Sequence, residues 1–387
     1  MNSSQRMMAV QSPVIPIVGA LARRHEGTIS FGQGVAFYGP PPQVFDSIRR
    51  HMTDPSINRY GPVEGIPELQ AALGQKLSAQ NKIAIHDGNA IVVTAGSNMG
   101  FNTAVLAICD PEDEVILPLP YYFNHEMSLV MERCRPVTVA TDNHYHLRLG
   151  EIEAAITEKT RAIATISPNN PTGAVYSRDE LDAVNEICQK YGIYHISDEA
   201  YEGFCYGQHE EYSVASRHDA CEHTISLFSF SKGYGLAGWR VGYMVIPQHL
   251  LDAVKKIQDT ILISPPMISQ YAALGALEAG MEFVQHKCKV MSEKRTLVLE
   301  MLDGLACLKS TPVSEGAFYV MLEIDSAKQD LQLVKSLITE FGVAALPGSA
   351  FGIDRGCHIR LSYGALSDDA IRTGLERLKD GLAALRD

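Results

Sequence analysis

Tryptophan occurs once in 387 residues, basic side chains number 33 against 45 acidic ones, and no long apolar run is present. The resulting net charge of −12 with His neutral argues against a broad nucleic-acid-binding face, because neutralising phosphates takes a net basic surface. A membrane span needs ~18 uninterrupted apolar residues. The best candidate, VIPIVGALA at 14–22, is short, holds Pro16 in its middle and runs into Arg23 and Arg24, so it reads as a structured N-terminal arm rather than a signal peptide. The eight cysteines, at 109, 134, 188, 205, 221, 288, 307 and 357, form no C-x-x-C and no Cys/His spacing that could hold zinc. Reduced, mostly buried thiols are expected, in a soluble cytoplasmic protein.

What is present is an ordinary globular composition, 46% hydrophobic and 20% charged, with no repeat and no low-complexity tract. The length predicts two or three lobes or one large α/β body. Residues 29–42 (ISFGQGVAFYGPPP) are rich in Gly and Pro and mark irregular backbone, followed by a short helix at 43–52. A further helix is expected within 64–81, with Pro67 near its start. Short β-rich runs then recur at 90–94, 114–118, 161–167, 191–197, 224–230 and 240–246, separated in part by helical stretches at 97–110 and 177–191. Strands alternating with crossover helices predict an α/β fold with a doubly wound, mainly parallel sheet. After Pro265-Pro266 come long helical segments through 282–302, then a smaller α+β region from about residue 311 with strands in GAFYVMLEI and GCHIRLSYG. The expected division is an arm over 1–45 that also completes the smaller domain, a large domain over 46–280 and a small α+β domain over 281–387.

In open α/β sheets ligands bind beyond the carboxyl ends of the strands, so the polar residues there are the candidates. Gly96, Ser97 and Asn98 follow AIVVT and lead into a helix, which suits either a bound phosphate or a plain N-cap. Asn170 follows RAIATIS (161–167) inside PNNPTG, a loop that could offer its amide to a ligand oxygen. Asp198 and Tyr201 follow in SDEAY, and the carboxylate could cap a helix or face a protonated ring nitrogen. No second carboxylate or His pair stands at ligand spacing, so no metal is expected, and His195 reads as a packed core residue. In SFSKGYGLAGWRVG, Ser229, Ser231, Lys232 and Arg240 lie within twelve residues. G-Y-G-L-A-G at 233–238 satisfies G-x-G-x-x-G formally, but a strand-like segment follows it where a dinucleotide site requires a helix. A lysine just past a buried strand, among glycines and near an arginine, suggests a reactive amine beside an anion site.

The order NPTG, SDEAY, SFSKGYGLAGWRVG and an Arg in HIRLSYG resembles the class I/II aminotransferases of the pyridoxal-phosphate fold type I superfamily, over nearly the whole chain. The resemblance implies pyridoxal 5'-phosphate as cofactor, carried by Lys232 as an internal aldimine and later served by the freed amine as proton shuttle. It implies Asp198 at the pyridinium nitrogen, and Asn170 and Tyr201 at the phenolate oxygen. Gly96, Ser97, Asn98, Ser229 and Arg240 would hold the phosphate, with Ser231 a further contact. Tyr122, in LPLPYYFNHEM, would lie over the cofactor ring. Tyr60 would enter the neighbouring subunit's phosphate site, making a homodimer with composite sites. Arg360 would clamp the substrate α-carboxylate, with Gly34 and Asn170 alongside. The substrates implied are an amino acid and a 2-oxo acid, with neither nucleic acid nor membrane as partner. Two departures stand out. GVAFYGPPP replaces the family's G-x-P-D-F, and no second arginine is assignable to a side-chain carboxylate. Phe37, Tyr38, Tyr121 and Phe123 hint at tolerance for aromatic or bulky side chains. The same motif set also serves a lyase performing elimination or cyclisation, so transamination and lyase chemistry both remain open on sequence.

Overall fold

The computed structural model describes residues 3–385. A two-residue strand β1 (Ile29–Ser30) precedes seven longer ones: β2 (Asn89–Thr94), β3 (Glu114–Leu119), β4 (Arg135–Ala140), β5 (Thr160–Ile166), β6 (Tyr194–Asp198), β7 (Thr224–Ser229) and β8 (Gly242–Pro247). These seven form one sheet in the order β2-β8-β7-β6-β5-β3-β4. β8 runs antiparallel to both its neighbours, and every other pair is parallel. The doubly wound, mainly parallel sheet expected from the alternation is therefore present. All six residues of β7 are buried and all of β5 except Arg161, as strands covered on both faces must be.

Two strand starts shift and one strand is added, each for a local reason. The run at 191–197 becomes strand only at Tyr194, because the helix Arg178–Tyr191 continues to Tyr191 and stops at Gly192 in the left-handed conformation, φ 65°. Its start is fixed by a reciprocal cap between Ser177 and Glu180. The run at 240–246 becomes strand only at Gly242, since Arg240 is itself left-handed. β4 is absent from the expected strands: it is an exposed edge strand with Pro136 in it, so it shows no apolar run.

The 36-residue helix Met267–Leu302 is broken at Gly280, whose φ of 70° and ψ of 179° lie outside helical geometry. Before the break, Tyr271, Ala272 and Ala276 pack with Val93, Tyr243 and Val245 of the large sheet. Beyond it, Met291, Val298 and Leu302 pack with a second sheet, formed by β9 (Tyr319–Ile324), β11 (Leu346–Pro347) and β12 (Cys357–Ser362) in the antiparallel order β11-β12-β9. The short β10 (Val343–Ala344) pairs in parallel with β1 and so joins the N-terminal segment to the C-terminal one. Among the described residues no helix is long and apolar enough to cross a membrane.

Candidate active site

The carboxyl ends of β5, β6 and β7 open on a cavity of about 210 Å³. Ser97 and Asn98 line it from the start of the helix Ser97–Ile108, joined by Tyr122, Asn170, Asp198, Tyr201, Ser229, Ser231, Lys232 and Arg240. Each is placed by its local chain. β6 ends on Asp198, whose Oδ1 accepts the Ala200 N–H at 3.0 Å while Oδ2 lies 3.0 Å from Nε2 of His125. The His125 ring is stacked on Phe101, with centroids 3.8 Å apart and planes 7° apart. Past β7, the Ser229 hydroxyl accepts the Ser231 N–H at 3.1 Å and starts the four-residue helix Phe230–Gly233 that carries Lys232. The Lys232 amine donates to the Gly34 carbonyl.

Arg240 reaches back over the helix start. The Arg240 guanidinium lies against Gly96, where a built Cβ would stand 2.5 Å from Nη2, and it is the φ of 83° at Gly96 that calls for glycine there. Arg360 is 1% exposed in the middle of β12. It donates from Nη1 to Asn170 Oδ1 at 3.1 Å and from Nη2 to the Gly32 carbonyl at 2.6 Å, while its Nε has no partner among the described residues. Asn170 Nδ2 donates to the Tyr201 hydroxyl at 3.2 Å, and the Tyr201 and Tyr319 hydroxyls are 2.6 Å apart. A half-buried primary amine and a carboxylate with a histidine behind it thus share one cavity, and a guanidinium with an unmatched N–H is hydrogen-bonded to Asn170 in its wall. Such a set can handle an amine that carries an anionic group.

The comparisons agree with that chemistry. The family model for aminotransferase class I and II matches residues 26–378. The chain belongs to the class I and II aminotransferases. This aminotransferase is 31% identical to an aromatic aminotransferase of Arabidopsis thaliana, over 99% of its own length and 96% of the other. It is 34% identical to a probable aspartate/prephenate aminotransferase of Aquifex aeolicus, over 92% and 91% of the two chains. Among solved structures, the Thermus thermophilus aspartate aminotransferase with maleate superposes with a TM-score of 0.90 at 31% identity, covering 98% of this chain and 100% of that one. Every relative named here is an aminotransferase, which favours group transfer over the lyase chemistry that the motifs leave open.

Electrostatics in the aminotransferase site favour a neutral amine. Burial, followed by the positive charges of Arg360 and Arg240, pushes Lys232 down from 10.5 to about 8, against an opposing pull from Asp198. Burial likewise holds the Arg360 guanidinium below its usual value and raises the Tyr122 phenol. A consequence for stability follows. Between about pH 8 and 10.5 the unfolded chain keeps the Lys232 proton that the folded chain has released, so the unfolded state binds more protons and folding is favoured as pH rises through that window. Below pH 8 both states hold the proton and the full cost of burying the charge remains. Buried cysteines and tyrosines with raised pKa lose stability in the same window, so the lysine is read as a difference: between pH 8 and pH 10 the urea midpoint of the parent protein is expected to gain on that of Lys232→Met, and parallel midpoints in the two proteins would contradict the shift.

Two residues picked from the sequence do not line this cavity. Tyr60 is 84% exposed and lies outside the cavity, in a separate groove with Met52, Leu262, Pro265 and Met267. Gly34 neighbours Lys232 and Tyr319, while the carbonyl that accepts from Arg360 is that of Gly32. Three site residues were not picked out: His125, Gly32 and Tyr319. His125 falls in the first turn of the helix Phe123–Met131, inside the motif that supplied Tyr122. Tyr319 is a diagonal neighbour of Arg360, since Met321 pairs with Arg360 and Tyr319 with Ser362.

Proposed function

We propose that this aminotransferase binds pyridoxal 5'-phosphate in the Lys232 cavity and moves an amino group between an L-amino acid and a 2-oxo acid in two half-reactions. The observation that carries the reading is the Lys232 amine, pushed down to about 8 and sharing one cavity with Asp198 and Arg240. The residues fit the cofactor. Arg240, whose guanidinium lies over Gly96, and the N–H groups of the helix start at Ser97 and Asn98 form an anion cradle. Ser229 and Ser231 add hydroxyls to it. Asp198, backed by His125, is an acceptor for a ring N–H, Tyr122 offers a flat face, and Asn170 and Tyr201 offer hydrogen bonds to a ring oxygen.

When bound, the cofactor supplies a carbonyl that condenses with amines and a ring that withdraws electrons from the substrate Cα. Lys232 would anchor it and, as a free amine, would take the proton from substrate Cα and deliver it to the cofactor carbon on the other side of the transferred nitrogen. That role needs a base whose proton affinity is set near neutral pH. Arg360 binds the substrate carboxylate through the donor left unmatched at Nε and its neighbouring fork. With Asn170 alongside, it fixes the orientation of the Cα–H bond. Lys232, Arg240 and Arg360 are all committed to the amine, the phosphate cradle and the α-carboxylate. Within one chain this supports a neutral or aromatic side chain on the substrate.

The same reading divides the chain into an arm over 1–45, a cofactor-binding domain over 46–280 and a small domain over 281–387; the break at Gly280 and the change of core partners beyond it support this. It also makes the enzyme a homodimer in which Tyr60 reaches the partner's cofactor. The exposure of Tyr60 beside an open groove of about 970 Å³ favours that assembly. To test the reading, the purified protein is loaded with pyridoxal phosphate, reduced with borohydride and digested. The expected result is the cofactor mass on Lys232, a visible band that converts when an amino acid is added without acceptor, and a sedimenting species of twice the chain mass. Attachment at another lysine, or none, would overturn the proposal.

A further inference from the structure

Tyr319 lies on β9, wholly buried, and closes a ring of four side chains that spans the two sheets. Arg360 can only donate, so its bond to Asn170 fixes that amide with Oδ1 toward Arg360 and Nδ2 toward Tyr201. Asn170 therefore fills one lone pair of the Tyr201 oxygen. The second contact of that oxygen is the Tyr319 hydroxyl at 2.6 Å. The ring closes where the Arg360 guanidinium packs 4.6 Å from the Tyr319 ring centre.

Resting on the cofactor reading above, we infer that Tyr319 is a positioning residue: it donates its proton to Tyr201 and thereby turns the Tyr201 O–H into the cavity as a fixed donor. The surroundings of Tyr319 set the direction. If Tyr201 donated to Tyr319 instead, the Tyr319 proton would need another acceptor. Among the described residues none is hydrogen-bonded to it, and its other close neighbour is the Cα of Gly34, where a Cβ would stand 2.2 Å from the oxygen. With both lone pairs of Tyr201 occupied, the proton is all that Tyr201 can offer to a ligand oxygen. Gly34 belongs to the same device: its lack of a side chain is what lets the Tyr319 hydroxyl stand where it does.

The test compares Tyr319→Phe, Tyr201→Phe and the parent protein, each loaded with pyridoxal phosphate. Tyr319→Phe keeps the ring against which Arg360 packs, and a thermal melt within a few degrees of the parent confirms the fold. The readouts are the pH midpoint of the visible band and, separately, kcat and KM. The expected result is a midpoint moved by roughly 0.5–1 pH unit in Tyr319→Phe, in the same direction as in Tyr201→Phe and by less. It is accompanied by a kcat about 3- to 10-fold lower with KM nearly unchanged. A purely structural role would leave the midpoint alone. If Tyr201→Phe moves the midpoint and Tyr319→Phe does not, the inference about Tyr319 is overturned while the cofactor reading stands. If neither moves it, Tyr201 does not touch the cofactor and the inference falls; the cofactor reading falls only if no protein shows a visible band.

Discussion

Lys232→Ala is expected to slow the first half-reaction by at least about 10³- to 10⁴-fold, to abolish covalent retention of the cofactor, and to leave the fold intact. The size of the loss follows from how little else in the cavity can substitute. Among the described lining residues Lys232 is the one primary amine, and the neighbouring titratable groups are otherwise engaged: Asp198 with His125 and the Ala200 N–H, Arg240 with the cradle, Tyr201 with Asn170 and Tyr319. Survival of the fold follows from position. The lysine sits in a four-residue helix whose start is held by Ser229 and which packs through Phe230 and Tyr234 in a separate apolar cluster. Single-turnover absorbance with one amino acid, alongside a thermal melt, separates the two effects. Activity within tenfold of the parent would remove the amine from the mechanism.

How far the sequence reaches toward this site depends on which physical signal each residue leaves. β5, β6 and β7 are buried on both faces and write themselves as apolar runs. Their carboxyl ends, with Asn170, Asp198, Ser229 and Lys232, were therefore legible as one constellation before any contact was known. Residues placed by tertiary register leave no such trace. Tyr319 reaches the site only because β9 pairs with β12 in a register that sets it diagonally across from Arg360. His125 depends on how the helix Phe123–Met131 leans on the end of β6.

The stretch DEAYEG makes the same point within six residues. Asp198 and Tyr201 turn to the cavity, while Glu199 and Glu202 are buried elsewhere. Glu202 pairs with Lys76, and Glu199, raised to about 8 by burial, accepts hydrogen bonds from Ser213 and Ser197. Nothing in the local spacing announces that split. β1, β10 and β11 have two residues each, shorter than any periodicity can register, and β4 hides its strand character in exposed positions. Tyr60 is legible only as an exposed aromatic on a loop, since its expected contact lies in another copy of the chain.

Arg360→Lys carries the second large effect, despite conserving charge. The guanidinium at this position performs three tasks at once: it donates to Asn170, donates to the Gly32 carbonyl and keeps an unmatched Nε–H. An ammonium on a shorter, flexible stem is a point charge that cannot reproduce that fork. Losing one charge-assisted hydrogen bond costs about 1.5–3 kcal/mol, so kcat/KM is expected to fall roughly 10- to 150-fold. Because every amino-acid substrate shares the α-carboxylate, the loss should be nearly the same for donors with different side chains. Because Asn170 is oriented by Arg360, part of it should appear in kcat as well as in KM. A decarboxylated analogue supplies the decisive comparison: the parent should prefer the amino acid over the corresponding amine by a wide margin, and the variant should lose most of that margin. Retention of the full preference in Arg360→Lys would mean that another group binds the carboxylate, and that the buried guanidinium serves the packing of β12 alone.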